Sequence, residues 1–332
     1  MIRKTNAIGM ALLFAAIHCN FAQGQSTLQT TLVIDLQNVV EYQDDNADPA
    51  KFATNPNLTP SATFKNFGVV TLIGDIVAVN GLPAKGTYVG RSRGLVMSPT
   101  PTPGGAIADV TRTALREHMF EILQSDGTPV GTIMSLGFSG GAAPPGAPST
   151  DRANWAIVGG TGAFLGARGT VGGTGGTGRA ASMDEDPANR RINGGKAISF
   201  IVHVVPLSVP QIVTTAAGPA VAHSGDFTMV SASKPATPGE VLSVFATGLG
   251  PTVPAVDPGV PFPSSPVAAV NSPVSVTVNG KPADVLAAVG YPGSADGYQI
   301  NFRVPPDATK GVATIQVSAA WIAGAAVSIA VQ

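Results

Sequence analysis

The run Trp155-Ala-Ile-Val-Gly-Gly-Thr-Gly-Ala-Phe-Leu-Gly-Ala-Arg-Gly-Thr170 restricts this chain more than any other stretch. It opens with a short apolar strand, Trp155 to Val158, and turns on Gly159, Gly160 and Gly162, which reach φ > 0 without steric cost. A Gly-x-Gly after a strand resembles a nucleotide loop, but that loop needs a helix behind it to hold the pyrophosphate. Here Gly166, Gly169, Gly172 and Gly173 follow instead. Each glycine costs a helix interior about 1 kcal/mol, so no helix is expected. The spacing from Gly162 to Gly166 is also one residue too long. The stretch predicts strand, glycine turn and strand, with Phe164, Leu165, Ala167, Arg168 and Val171 on the second strand.

The rest of the 332 residues agrees, with 40 glycines, 28 prolines and only 12% charged residues. Such a composition favours strands and turns over helix bundles, and the length allows two domains. Residues 1–24 read as a signal peptide: Arg3 and Lys4, an apolar run from Ala7 to Ile17, and small residues around Ala22-Gln23-Gly24. The run is too short to span a bilayer. Cys19 is the only cysteine and lies before the expected cleavage site, so no disulfide is expected in the mature chain. Removing Arg3 and Lys4 leaves 17 basic against 20 acidic residues, which excludes a basic nucleic-acid footprint. The expectation is an exported protein, extracellular, periplasmic or at the cell surface, with no membrane span.

From Thr31 to Tyr42 the residues alternate, with Leu32, Ile34, Leu36, Val40 and Tyr42 on one face. Val33, Asp35, Gln37, Val39 and Glu41 take the other. Asp44, Asn46 and Asp48 match the opening of a calcium loop, but Pro49 stands where its glycine belongs and no Glu closes it. Further strand signals cover Phe64–Val79, Thr87–Met97, Leu115–Leu123, Val130–Phe138 and Lys196–Val205, with an Asp126-Gly127 hairpin among them. Glu117 and Glu121 alternate away from His118, and the four histidines lack metal-ligand spacing. About eight strands without a helix suit a small closed barrel over residues 27–206.

This region resembles the dirigent proteins, within the allene oxide cyclase-like barrel group. The resemblance rests on Phe67-Gly-Val-Val-Thr-Leu-Ile-Gly-Asp75, Val89-Gly-Arg-x-x-Gly-Leu95, Ile157-Val-Gly-Gly-Thr-Gly-x-Phe164 with Ala167-Arg-Gly169, and Gly195-x-Ala197 through His203. It implies an eight-stranded antiparallel barrel, often a homotrimer, that holds a small hydrophobic or phenolic molecule and steers its coupling or cyclisation without a cofactor. Asp35 stands where the family's first strand has its acid, although Ile34 replaces the accompanying His. The family's acidic pair becomes Gly74-Asp75, Gly162 stands where many catalytic members have Asp, and Arg168 is kept. Asp35, Asp75 and Arg168 are therefore the site candidates: a carboxyl among apolar groups as general acid, an arginine for a developing anion. Arg168 and at least one of Asp35 and Asp75 are expected to line one cavity.

Beyond a linker at Pro206–Pro210, strand signals shorten: Gln211–Thr214, Phe227–Val230, Val241–Thr247, Val274–Val278, Tyr298–Val304, Ala313–Val317 and Ala326–Val331. Seven short strands predict a β-sandwich over 211–332. Pro238 to Thr252 and Gly297 to Pro305 resemble the immunoglobulin-like (IPT/TIG-like) module of bacterial exported proteins, to which no chemistry is attached. Phe245 and Trp321 are expected in its core. The chain as a whole is all-β. Three functions compete: a barrel that steers a reaction, a barrel that only sequesters a ligand, and a structural or adhesive protein. The sequence leaves open whether it is an enzyme, and fold alone does not decide function.

Overall fold

The computed structural model describes residues 29–43, 69–96, 112–138, 155–174 and 178–332. The expected signal peptide, Cys19, and the calcium candidates Asp44, Asn46 and Asp48 lie outside them. The described chain falls into two compact units, Gln29–Leu207 and Ser208–Gln332. No helix among the described residues is long and apolar enough to cross a membrane.

The first unit consists of β1 (Thr30–Gln43), β2 (Val69–Val79), β3 (Leu82–Val96), β4 (Arg112–Gln124), β5 (Pro129–Phe138), β6 (Trp155–Gly162), β7 (Arg168–Thr174), β8 (Arg179–Ser182) and β9 (Lys196–Val205). The hydrogen-bonded order runs β2-β3-β4-β5-β6-β7-β9-β1, and β1 pairs back onto β2. Eight antiparallel strands thus close a barrel, and the short β8 adds in parallel to the end of β1. Closure leaves no open edge among the eight. Alternation sends Leu32, Ile34 and Leu36 of β1, Phe120 and Ile122 of β4, and Phe200 and Val202 of β9 into the interior, all buried.

Two local departures from the expected pattern matter. Asn38 takes φ 54°, and the β1–β2 register shifts between Gln37 and Val40. This bulge reverses the faces of β1. Beyond it Glu41 pairs with the inward Leu72, whereas Val40 and Tyr42 turn outward and are covered. The second departure is in the glycine run. Here β6 continues to Gly162, and β7 begins only at Arg168. Phe164 and Leu165 therefore sit in the turn, not on the second strand. Phe164 is fully buried beneath it, while Leu165 is exposed. The two glycines are needed for packing as well as turning. A Cβ on Gly160 would stand 2.4 Å from the Phe164 carbonyl oxygen and 2.5 Å from that of Thr132. Gly162 takes φ 60°, the left-handed region glycine enters most easily.

The second unit is all-β, and its seven-strand path is one continuous curled sheet, where the sequence pattern predicts two separate sheets. The path runs Gln211–Ile212, Val241–Thr247, Tyr298–Arg303, Lys281–Gly290, Val274–Val278, Gly311–Ala319 and Ile322–Ala323. Lys281–Gly290 joins its halves. Its first residues pair with Val274–Val278, and the remainder pairs with Tyr298–Arg303 across a register shift at Val285/Ala287. Alanines and Pro282 hide this strand from a propensity reading. The sheet wraps Leu242, Val244, Ile300 and Phe302 against Val276, Ile315 and Val317. Phe245 is buried as expected, and Trp321 is half-buried at a turn with φ 62°.

Candidate functional site

The two ends of the barrel interior differ. One end is closed by short turns such as Asn80-Gly81 and Ser125–Thr128, and by the Phe164 turn. Its interior is aliphatic and aromatic: Leu36, Ile76, Ala84, Ile122, Val130 and Phe164 are all buried. At the other end the strands are joined by the long connections 44–68, 97–111 and 139–154. Interior positions at that end carry polar groups.

These groups occupy neighbouring register positions. His118 of β4 pairs with Gly90 of β3 and Ser135 of β5, while Arg116 pairs with Ser92 and Gly137. Trp155 packs against Gly137 and pairs with Val171 of β7. Phe200 reaches across from β9 and lies 5.1 Å from Tyr88, 5.0 Å from Phe120 and 5.6 Å from His118, ring centre to ring centre. His118 and Trp155 are 4.3 Å apart, and the Arg116 guanidinium lies 5.9 Å from the Trp155 ring centre. An aromatic floor thus closes the middle of the barrel, with polar groups on its upper side.

Gly90 makes this arrangement possible. A Cβ there would stand 2.6 Å from the Tyr88 hydroxyl, so the bare backbone lets the Tyr88 side chain lie along its own strand. The hydroxyl then meets His118 Nδ1 at 2.7 Å. Burial pushes the Tyr88 phenol well up; the Arg116 charge opposes this and the Glu41 charge adds to it. Burial, helped by the Arg116 charge, pulls His118 down to about 3. Both rings are therefore uncharged near neutral pH. Four buried polar atoms of this layer find no hydrogen-bond partner among the described residues: Arg116 Nε, His118 Nε2, Ser135 Oγ and Trp155 Nε1. Buried polar groups are normally satisfied, so four together make this layer the candidate site.

Asp35, Asp75 and Arg168 are not brought together in the interior. Asp35 falls between the inward Ile34 and Leu36, so it faces outward, where Ser199 Oγ donates to it at 2.6 Å. Asp75, between inward Gly74 and Ile76, also faces outward. It accepts from Asn38 Nδ2 at 2.9 Å and from Arg191 Nε at 2.9 Å, and it pairs with Arg190. Burial raises its pKa, but hydrogen bonds from Arg191 and Asn38 and the two arginine charges outweigh this and hold the carboxyl low. Asp75 thus ties the segment carrying Arg190 and Arg191 to the outer wall. Arg168 is exposed, its Nη1 donating to the Ala167 carbonyl at 2.9 Å. No group of three or more His, Cys, Asp or Glu that could hold a metal is found among the described residues.

The fold and site define a closed antiparallel barrel with one apolar end and one end whose buried polar atoms lack partners among the described residues. No protein-family model, curated protein or solved structure matches the chain. The dirigent-like and immunoglobulin-like resemblances therefore rest on the sequence motifs alone. A signal for the interior site does exist in the sequence. Arg116 and His118 share the apolar stripe of β4 with Phe120 and Ile122, and polar residues on such a stripe need a buried partner.

Proposed function

We propose that the barrel unit belongs to an exported, dirigent-like protein and binds a small apolar or phenolic molecule above its aromatic floor. The observation that carries this reading is the set of four unpaired buried atoms on Arg116, His118, Ser135 and Trp155, gathered at the end with long connections. Barrel mouths with apolar walls and a few placed polar groups are frequent ligand sites. The family motif also supports it, because Gly90 of Val89-Gly-Arg91 admits the Tyr88 side chain that forms part of the floor. Binding rather than catalysis fits best. Tyr88 and His118 are both uncharged, and no carboxylate bonds to either among the described residues. The immunoglobulin-like reading of Ser208–Gln332 is kept as part of the same proposal, as an accessory module without chemistry.

The test is titration of the full chain with N-phenyl-1-naphthylamine, an uncharged fluorescent probe. Saturable binding is expected, with energy transfer from indole to probe. The chain has two tryptophans, and the transfer should fall on Trp155→Phe and persist on Trp321→Phe. Ser135→Phe should fill the layer and remove binding while the circular-dichroism spectrum stays that of the parent. Absence of saturable binding, or transfer that depends on Trp321, overturns the proposal.

A further inference from the structure

The unpaired atoms also restrict what the ligand must bring. An arginine Nε and an indole Nε1 carry hydrogen and can only donate. His118 Nε2 joins them once its proton is placed. Tyr88 keeps its phenolic hydrogen, and among the described residues its hydroxyl is bonded only to His118 Nδ1. If the hydroxyl donates to Nδ1, a single N–H at Nε2 is left over. If Nδ1 donates instead, both the phenolic hydrogen and the Nε2 lone pair are left over. The first arrangement leaves fewer groups unsatisfied. The layer then presents N–H donors from Arg116, Trp155 and His118, beside a Ser135 hydroxyl that can donate as well. Arg116 also carries a full charge, and it forms no ion pair with a carboxylate among the described residues. Glu41, the carboxylate whose charge is felt at Tyr88, is held separately by the Gly178 backbone N–H at 3.1 Å.

We infer that the ligand of this barrel is an aromatic or apolar molecule ending in a carboxylate, whose oxygens take the donors of Arg116, Trp155 and His118 while its body lies on the Tyr88–Phe120–Phe200 floor. The inference rests on the interior binding site proposed above and adds the chemical class of the ligand. A charged acceptor is favoured over a neutral carbonyl because charge-assisted hydrogen bonds are about twice as strong as neutral ones. The Arg116 guanidinium lies 5.9 Å from the Trp155 ring centre, and the planar fork of an arginine matches the two oxygens of a carboxylate.

The experiment compares naphthalene-2-carboxylate with naphthalene-2-carboxamide at pH 7, each displacing N-phenyl-1-naphthylamine from the full chain. The two competitors share a ring system and differ chiefly in charge. The carboxylate should bind at least about tenfold more tightly, the ratio of one charge-assisted bond to a neutral one. Arg116→Met keeps the side-chain stem against Trp155, removes the charge, and should bring the ratio close to one. Equal affinity of carboxylate and carboxamide for the parent protein, with the probe still bound, overturns the inference and leaves the site standing. Loss of all probe binding in the parent overturns the site itself. The parent comparison needs no variant, so a poorly folding Arg116→Met leaves the inference open to refutation.

Discussion

His118 in the barrel and His223 in the second unit are both buried, and the two are treated differently. In the second unit, His223 Nδ1 meets Glu240 Oε1 at 2.5 Å, and its Nε2 donates to the Lys234 carbonyl at 3.2 Å. Beside it the Ser243 hydroxyl, fully buried, lies between Ser224 Oγ and Asn301 Oδ1, each at 2.9 Å. In the barrel, His118 has one nitrogen on Tyr88, and among the described residues neither its other nitrogen nor the Ser135 hydroxyl beside it has a partner. Satisfied polar groups rigidify a core, whereas unsatisfied ones cost stability and persist where function uses them. The second unit uses His223 and Ser243 to hold a sheet, whereas the barrel holds His118 and Ser135 in reserve at one end.

The largest expected effect lies on the structural side. His223→Ala removes both of its hydrogen bonds and opens a cavity, and should cost about 2–4 kcal/mol. One tryptophan sits in each unit, so urea unfolding followed at Trp321 in a Trp155→Phe background reads the second unit alone. A loss below about 0.5 kcal/mol, the range of a neutral surface change, would break the contrast.

Acid provides the second test. His118 binds its proton near 3 in the folded barrel, against an ordinary value of 6.5, so the unfolded chain holds more protons between those values. Stability linked to His118 is therefore complete above pH 6.5 and declines as pH falls toward 3. Between pH 7 and pH 4.5 the barrel should lose about 2.5 kcal/mol, at about 1.4 kcal/mol per pKa unit below 6.5. The carboxyl of Asp75 is held below 3.8, and its share is lost only below that window. His118→Gln should flatten the dependence, measured at Trp155 in a Trp321→Phe background. An unchanged slope in that variant would mean that His118 is not held neutral by the fold.

The smallest effect is the sharpest comparison. Ser243→Ala breaks two hydrogen bonds and should cost about 1–2 kcal/mol. Ser135→Ala removes a hydroxyl that already lacks a partner, so it should change stability by less than about 0.5 kcal/mol or even raise it. Equal losses from the two substitutions would show that Ser135 is satisfied in solution and is not waiting for a ligand.

Most of the barrel was legible in the residue pattern. The strand Lys196–Val205 was located to the residue, and the glycines around Gly160 correctly excluded a helix. Alternation also separated His118 from Glu117 and Glu121, which are exposed. The site was less legible. A family resemblance pointed to Asp35, Asp75 and Arg168 because they stand at the motif positions where the family has its acids and its arginine. Counting by two from the wrong origin cannot say which face is inward.

Local residue chemistry by itself determined that this chain forms strands and turns, because glycine and proline deny it helices and β-branched residues alternate over short runs. Only the tertiary structure decided which alternating face became the interior. The Asn38 bulge turned Glu41 inward and Tyr42 outward, against the periodicity of their own strand. Closure then brought Phe200 of β9 across to Tyr88 and His118, residues far away in sequence. The late start of β7 at Arg168 left its side chain outside, on the carbonyl of Ala167. A period of two is a local property of the backbone, but its phase is set by bulges, turn lengths and closure, and these depend on contacts between strands.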